Sequence, residues 1–203
     1  MTINLYDGDV PSDLNLGDIV AVDTETQGLQ PQRDRLCLVQ LSNGDGNAHL
    51  VKFGPNFTNA PNLKKILGDP NILKLFHFAR FDIAVLQKYL EVITKPVYCT
   101  KIASRLVRTY TDKHGLKDLC KELLNIELSK EQQSSDWGSS ELSEKQLKYA
   151  ASDVLYLHGL KKKLDVMLLR ESRMELAISC FDFVAVRAEL DLAGWSQVDI
   201  FSH

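Results

Sequence analysis

The apolar positions of the chain change period about halfway along, from alternation to helical spacing. The runs IVAVDTE, LCLVQLS and AHLVKF are rich in β-branched residues. Polar or glycine-containing stretches, QGLQPQRDR and NGDGN, separate them, which predicts three successive strands joined by hairpin turns. PNLKKILGD then predicts a short helix, ILKLFHF a fourth strand, FDIAVLQKYL a helix and VYCTK a fifth strand. From Lys101 onward the alternation is gone. KIASRLVRTY, HGLKDLCKELLN, SEKQLKYAASDVLYLHGLKKKLDVMLLRE and RMELAISCFDFVAVRAELDLAG carry helical spacing instead. Ser143 with Gln146 three residues later fits a capping box at the start of the third of these helices, and Gly194 fits the end of the last. The expected architecture is a mixed α/β domain, with a five-stranded sheet, flanking helices and a helical C-terminal half.

A length of 203 residues suits one domain spanning 1–203 with one substantial core. Hydrophobic residues make up 44% and charged residues 25%, which excludes a disordered or fibrous chain and leaves function to local sites. The net charge of −3 argues against a broad basic field of the kind that grips long nucleic acids by counterion release. It favours instead a short ligand held by a few local contacts and by metal. Cys37, Cys99, Cys120 and Cys180 are widely scattered and form neither a CxxC pair nor a Cys/His cluster, so they read as reduced thiols; Cys37, Cys99 and Cys180 lie in apolar runs that suit small buried side chains. MTINLYDGDVP shows no basic region followed by an apolar stretch, and no run reaches the roughly 18 apolar residues of a membrane span, so the expected location is cytoplasmic.

Three segments carry acidic residues in suggestive positions. In AVDTET, Asp23 and Glu25 are two apart at the end of an apolar strand, and strand alternation puts both carboxylates on one face, where a hard divalent ion would relieve their repulsion. Asp82 in HFARFDIAVL falls in the first turn of a helix, where the macrodipole favours an anion. Tyr149 and Asp153 in YAASD are four apart on a helix and share a face, amid Leu147, Ala150, Ala151, Val154, Leu155 and Leu157; an aspartate in such surroundings needs a partner. A solvated strand end, a helix-start aspartate and a buried tyrosine each have an ordinary structural reading as well.

In their order, DTET, HFARFD and YAASD resemble the three motifs of the DEDDy class of 3′-to-5′ exonucleases, which have a ribonuclease H-like fold. QQSSDW at residues 132–137, followed by LSEKQLKYAASDVLYLHGL, narrows the resemblance to the ribonuclease D-like group. DTETQGLQPQRDRLCLVQLS, VYCTKIASRLVRTYTDKHGLK and RAELDLAGWSQVDIF are similar to the nanoRNase C oligoribonucleases of alphaproteobacteria, over nearly the whole chain. Two departures stand out. Relatives often carry asparagine where this chain has Phe78, and long ribonuclease D chains continue into helical RNA-binding domains with no counterpart in this sequence, which puts processing of large folded RNA in doubt.

The resemblance implies two Mg²⁺ or Mn²⁺ ions held by Asp23, Glu25, Asp82 and Asp153, with Tyr149 orienting the attacking water, and release of nucleoside 5′-monophosphates. It places the 3′-hydroxyl of the substrate at Glu25 and Thr26. Leu29 reads either as an apolar wedge between the last two bases or as a turn-side core leucine. His77, Lys113, His114, Gln133 and Ser135 are candidates for substrate phosphates, although His77 also suits a hydrogen-bonded core histidine and Ser135 a turn. The expected partner is short single-stranded RNA, down to dinucleotides, with DNA an alternative and an inactive binding module a further one. By the same resemblance the chain forms a homo-oligomer, an octameric ring. Residues 187–203 offer contacts for it, or dock on the chain's own sheet.

Overall fold

The computed structural model describes residues 1–56, 59–129 and 135–203. Six strands form one sheet in the order β1-β4-β3-β2-β5-β6. The predicted meander is present as β2 (Ile19–Thr26), β3 (Leu36–Ser42) and β4 (Ala48–Lys52), paired antiparallel. Next to β2 lies β5 (Leu73–Phe76), in parallel, and next to that β6 (Val97–Cys99), also parallel. The five-strand expectation is corrected by β1 (Ile3–Asp7), which pairs parallel with β4. INLYD is a half-exposed edge segment whose side chains alternate only weakly, so its pairing partner rather than its own pattern makes it a strand.

Every residue of β3 is buried, as expected of a strand covered on both faces. The cover comes from helices: α2 (Ala79–Leu90) lies against β2, β3, β5 and β6, while α5 (Glu144–Leu155) crosses β2, β3 and β4. Between them in the chain come α3 (Thr100–Val107) and α4 (Leu116–Leu119), the latter running into a π-helical turn, Cys120–Leu124. A short helix, α1 (Pro61–Gly68), precedes β5. The predicted third long helix is two, α5 and α6 (Leu157–Arg170), because Tyr156 breaks the backbone at φ −104° and ψ −5°. The break lets α5 follow the sheet while α6 packs on α3 and β5. Helix α7 (Met174–Leu190) packs on α2 and ends in a π-helical turn, Asp191–Trp195, where Gly194 takes a left-handed φ of 106° that any other residue would resist.

The capping box forms as expected: the Gln146 amide donates to Ser143 Oγ at 3.3 Å, and the Ser143 amide donates to Gln146 Oε1 at 3.0 Å. Gln146 Nε2 also donates to the Asp136 carbonyl at 3.2 Å, tying residues 135–138 to the start of α5. Cys37, Cys99 and Cys120 are buried thiols; Cys180 is only half-buried. Among the described residues no helix is long and apolar enough to cross a membrane.

Candidate active site

Strand β2 delivers Asp23 and Glu25 to the same side, and one turn-and-a-bit of α5 delivers Tyr149 and Asp153 against them. A carboxylate oxygen from each of Asp23, Glu25 and Asp153 lies within 4.8 Å of the others. A β-bulge between Glu25 and Thr26 shifts the register just before the last pair, Thr26 with Leu36, and the chain then enters the loop that carries Leu29. The three carboxylates and Tyr149 line one cavity of about 620 Å³, together with Thr26, Leu29, His77 and Ser135.

Burial and mutual repulsion dominate the electrostatics. Asp23 is held well above the ordinary carboxylate range, first by burial and then by the charges of Asp82, Asp153 and Glu25. Burial, reinforced by Asp153 and Asp82, pushes Glu25 up to about 9. Asp153 is raised to about 7 by burial. Asp82, nearly inaccessible at 3% exposure, is also raised to about 7 by burial, which outweighs its hydrogen bond from Thr24 Oγ1 at 2.7 Å. Asp82 thus stands beside the carboxylate trio, with one of its oxygens taken by Thr24. Tyr149 is pushed above its usual value by burial and then by Asp153, Glu25 and Asp23, so its hydroxyl stays protonated. Its ring lies 6.1 Å from that of Trp137, another residue of the cavity wall.

The remaining sequence candidates divide. Thr26 Oγ1 donates to the Gly28 carbonyl, and a Cβ on Gly28 would sit 2.1 Å from Asp34 Oδ2, so this turn is held close against the Asp34 carboxylate. Leu29 is 87% exposed on the cavity rim, which removes the turn-side core reading. Strand β5 stops at Phe76, one residue before His77. His77 Nδ1 lies 2.9 Å from Thr100 Oγ1, whose own hydrogen goes to the Phe76 carbonyl at 3.1 Å; the threonine oxygen must therefore accept, and the His77 Nδ1–H donates. Burial, then Lys101, drives His77 down to about 3, so the ring is neutral and its Nε2 is an acceptor. His114 is absent from the cavity wall: its Nδ1 meets Ser104 Oγ at 2.8 Å. Lys113 is absent from the wall too, its carbonyl accepting from the buried Arg108 at 2.6 Å. Gln133 lies outside the described residues.

Lys101 and Lys117 line the cavity without having been singled out in the sequence. Lys101 stands in the first turn of α3, where the macrodipole disfavours a cation, and that misplacement is the signal that could have found it.

Carboxylate oxygens alone are the donor set of a hard divalent cation, and a half-buried cluster whose members are all pushed toward protonation fits such an ion. Residues 9–169 match the family described as 3′-5′ exonuclease. The chain belongs to that family. This 3′-5′ exonuclease domain is 53% identical to Brucella melitensis NrnC with bound Mg²⁺, over 100% of both chains and with a TM-score of 0.96. To Brucella melitensis NrnC bound to pGG it is 54% identical, covering 100% of this chain and 99% of the other, with a TM-score of 0.97. It is also 32% identical to ribonuclease D of Granulibacter bethesdensis over 155 residues, 76% of this chain and 39% of that protein. The chain thus spans about two fifths of the length of that ribonuclease D. The six-stranded sheet with its flanking helices is the ribonuclease H-like exonuclease fold of these proteins.

Proposed function

We propose that this chain is a divalent-metal-dependent 3′-to-5′ exoribonuclease that degrades short oligoribonucleotides, down to dinucleotides, and releases nucleoside 5′-monophosphates. The observation that carries the reading is the convergence of Asp23, Glu25, Asp153 and Tyr149 on one cavity. Its volume of about 620 Å³ is that of a small-ligand site rather than of a long track. The relative that binds pGG supports the same scale of substrate.

Asp23, Glu25 and Asp153 would hold one Mg²⁺ or Mn²⁺ ion, and Asp23 with Asp82 a second. Such ions, when bound, supply an activated water and neutralise charge on the phosphate and on the leaving oxygen. The remaining work falls to the chain. Tyr149, protonated throughout the neutral range, donates its O–H to orient the water rather than taking its proton. The water oxygen bonds to phosphorus, the bond to the 3′-oxygen of the preceding nucleotide breaks, and that oxygen leaves with a proton. Thr26, beside the bulge, and Glu25 hold the terminal 3′-hydroxyl. Leu29 wedges between the last two bases. A neutral His77 with a bare Nε2 suits a sugar hydroxyl better than a phosphate, which shifts the phosphate contacts to Lys101, Lys117 and Ser135.

A homo-oligomer, an octameric ring, is part of this reading. Leu176 and Ile178 on α7, with Trp195 and Phe201 beyond it, leave apolar side chains exposed that an assembly of copies would bury.

Time courses with Mg²⁺ on matched RNA and DNA oligomers of two to about twenty units test the proposal. The expected outcome is stepwise loss of monophosphates from 3′ ends, with RNA preferred and the dinucleotide turned over fastest. Equal rates at every length would remove the dinucleotide preference, and equal rates on DNA the RNA preference.

A further inference from the structure

A second cavity, again of about 620 Å³, opens between α3 and α7 and shares Phe78 and Lys101 with the wall of the first. Its apolar side is formed by Ile102, Phe183 and Val184. Phe78 stands at the junction, 45% exposed and with a left-handed φ of 69° at the start of α2. The Lys101 ammonium sits 4.1 Å from the centre of that ring.

The charges along this groove are not balanced. Arg80 and Arg187 also line it, but both are engaged by Asp191, at 2.5 Å and 2.9 Å. Lys101 and Arg105, by contrast, are one helical turn apart on α3 and face the groove with no carboxylate paired to either among the described residues. Like charges at this spacing cost stability on a helix. In a chain of net charge −3, two uncompensated cations beside an apolar wall match a ligand that has both anionic and ring surfaces.

We infer that the groove between α3 and α7 receives the nucleotide units lying 5′ of the two at the carboxylate cluster. The strand passes over Phe78, its backbone phosphates lie along Lys101 and Arg105, and a base enters against Ile102, Phe183 and Val184. The inference rests on the exoribonuclease reading, since it extends the same strand. It gives the enzyme a way to hold three or more nucleotides without enlarging the cavity at the metal ligands.

Arg105→Glu tests it at an exposed position, where folding is not at stake. For an RNA heptanucleotide, KM is expected to rise about fivefold or more, and the dependence of log KM on log salt to weaken by about 0.7 for the lost single-strand phosphate contact. The dinucleotide should keep its wild-type kcat/KM. Ser179→Trp, which fills the groove from its exposed wall, is expected to give the same split between lengths. If the heptanucleotide is unaffected by both variants, or if both lengths lose equally, the inference is overturned while the exoribonuclease reading stands. Unchanged heptanucleotide kinetics with an altered sedimentation mass would likewise overturn it and assign the groove to contacts between copies. Absence of RNA hydrolysis by the wild-type chain would instead remove the underlying function.

Discussion

Asp23, Glu25 and Asp153 face one another within 4.8 Å, and none of the three has a cationic partner among the described salt bridges. Folding therefore favours their protonated forms, with Asp82 and Asp153 raised to about 7 and Glu25 to about 9. For a carboxyl whose folded value lies above its unfolded one, the contribution to stability is complete below the ordinary carboxylate range and fades as pH rises through the folded value. Metal-free protein should accordingly lose Tm between about pH 5 and about pH 9, and saturating Mg²⁺ should flatten that slope; thermal melts at a series of pH values check this. Tyr149 titrates above its usual range, and its proposed role as donor to the attacking water predicts that Tyr149→Phe lowers kcat by about 10²-fold or more with KM little changed. A comparable loss confined to KM would move Tyr149 from the water to substrate binding.

Legibility differed from element to element for physical reasons. The β2–β3–β4 meander was readable because apolar side chains alternate across it or fill both faces, and the start of α5 because Ser143 and Gln146 satisfy each other's backbone. Strand β1 was not, since an exposed edge carries little alternation and owes its existence to β4. The division of α5 from α6 was also hidden: helical periodicity runs straight through Tyr156, and only the different packing partners of the two helices require the break. In the site, alternation put Asp23 and Glu25 on one face and i,i+4 spacing did the same for Tyr149 and Asp153, while their membership of one site came from the resemblance of DTET, HFARFD and YAASD to the exonuclease motifs. The Asp82 link to Thr24 depends on α2 packing against β2, and the Lys101 contact with Phe78 on the start of α3 standing beside the start of α2; neither could be read from spacing. Helix α5 brings Tyr149 and Asp153 into place, so its cap matters to function. Ser143→Ala should cost about 1 kcal/mol and lower Tm by roughly 2–4 °C, measurable by calorimetry. No change in Tm would show that Gln146 and Asp136 hold the helix start without the serine.

At the scale of the whole molecule, the acidic residues that converge come from a strand at residue 23 and a helix at residue 153, so the cavity exists only in the folded sheet-and-helix sandwich. In a chain of net charge −3, Lys101 and Lys117 line that cavity and Lys101 and Arg105 the neighbouring groove, so cations stand next to the carboxylate cluster. The organisation suits an enzyme that takes hold of a 3′ end locally instead of gripping a long duplex. The most direct measurement is release of nucleoside 5′-monophosphate from a 5′-labelled RNA heptanucleotide with Mg²⁺, comparing wild type with Asp23→Asn. The account predicts a ladder of successively shorter 5′-labelled products from the wild type, abolished by chelator, and a loss of about 10³-fold or more in Asp23→Asn with substrate binding retained. Metal-dependent monophosphate release that persists unchanged in Asp23→Asn would contradict it.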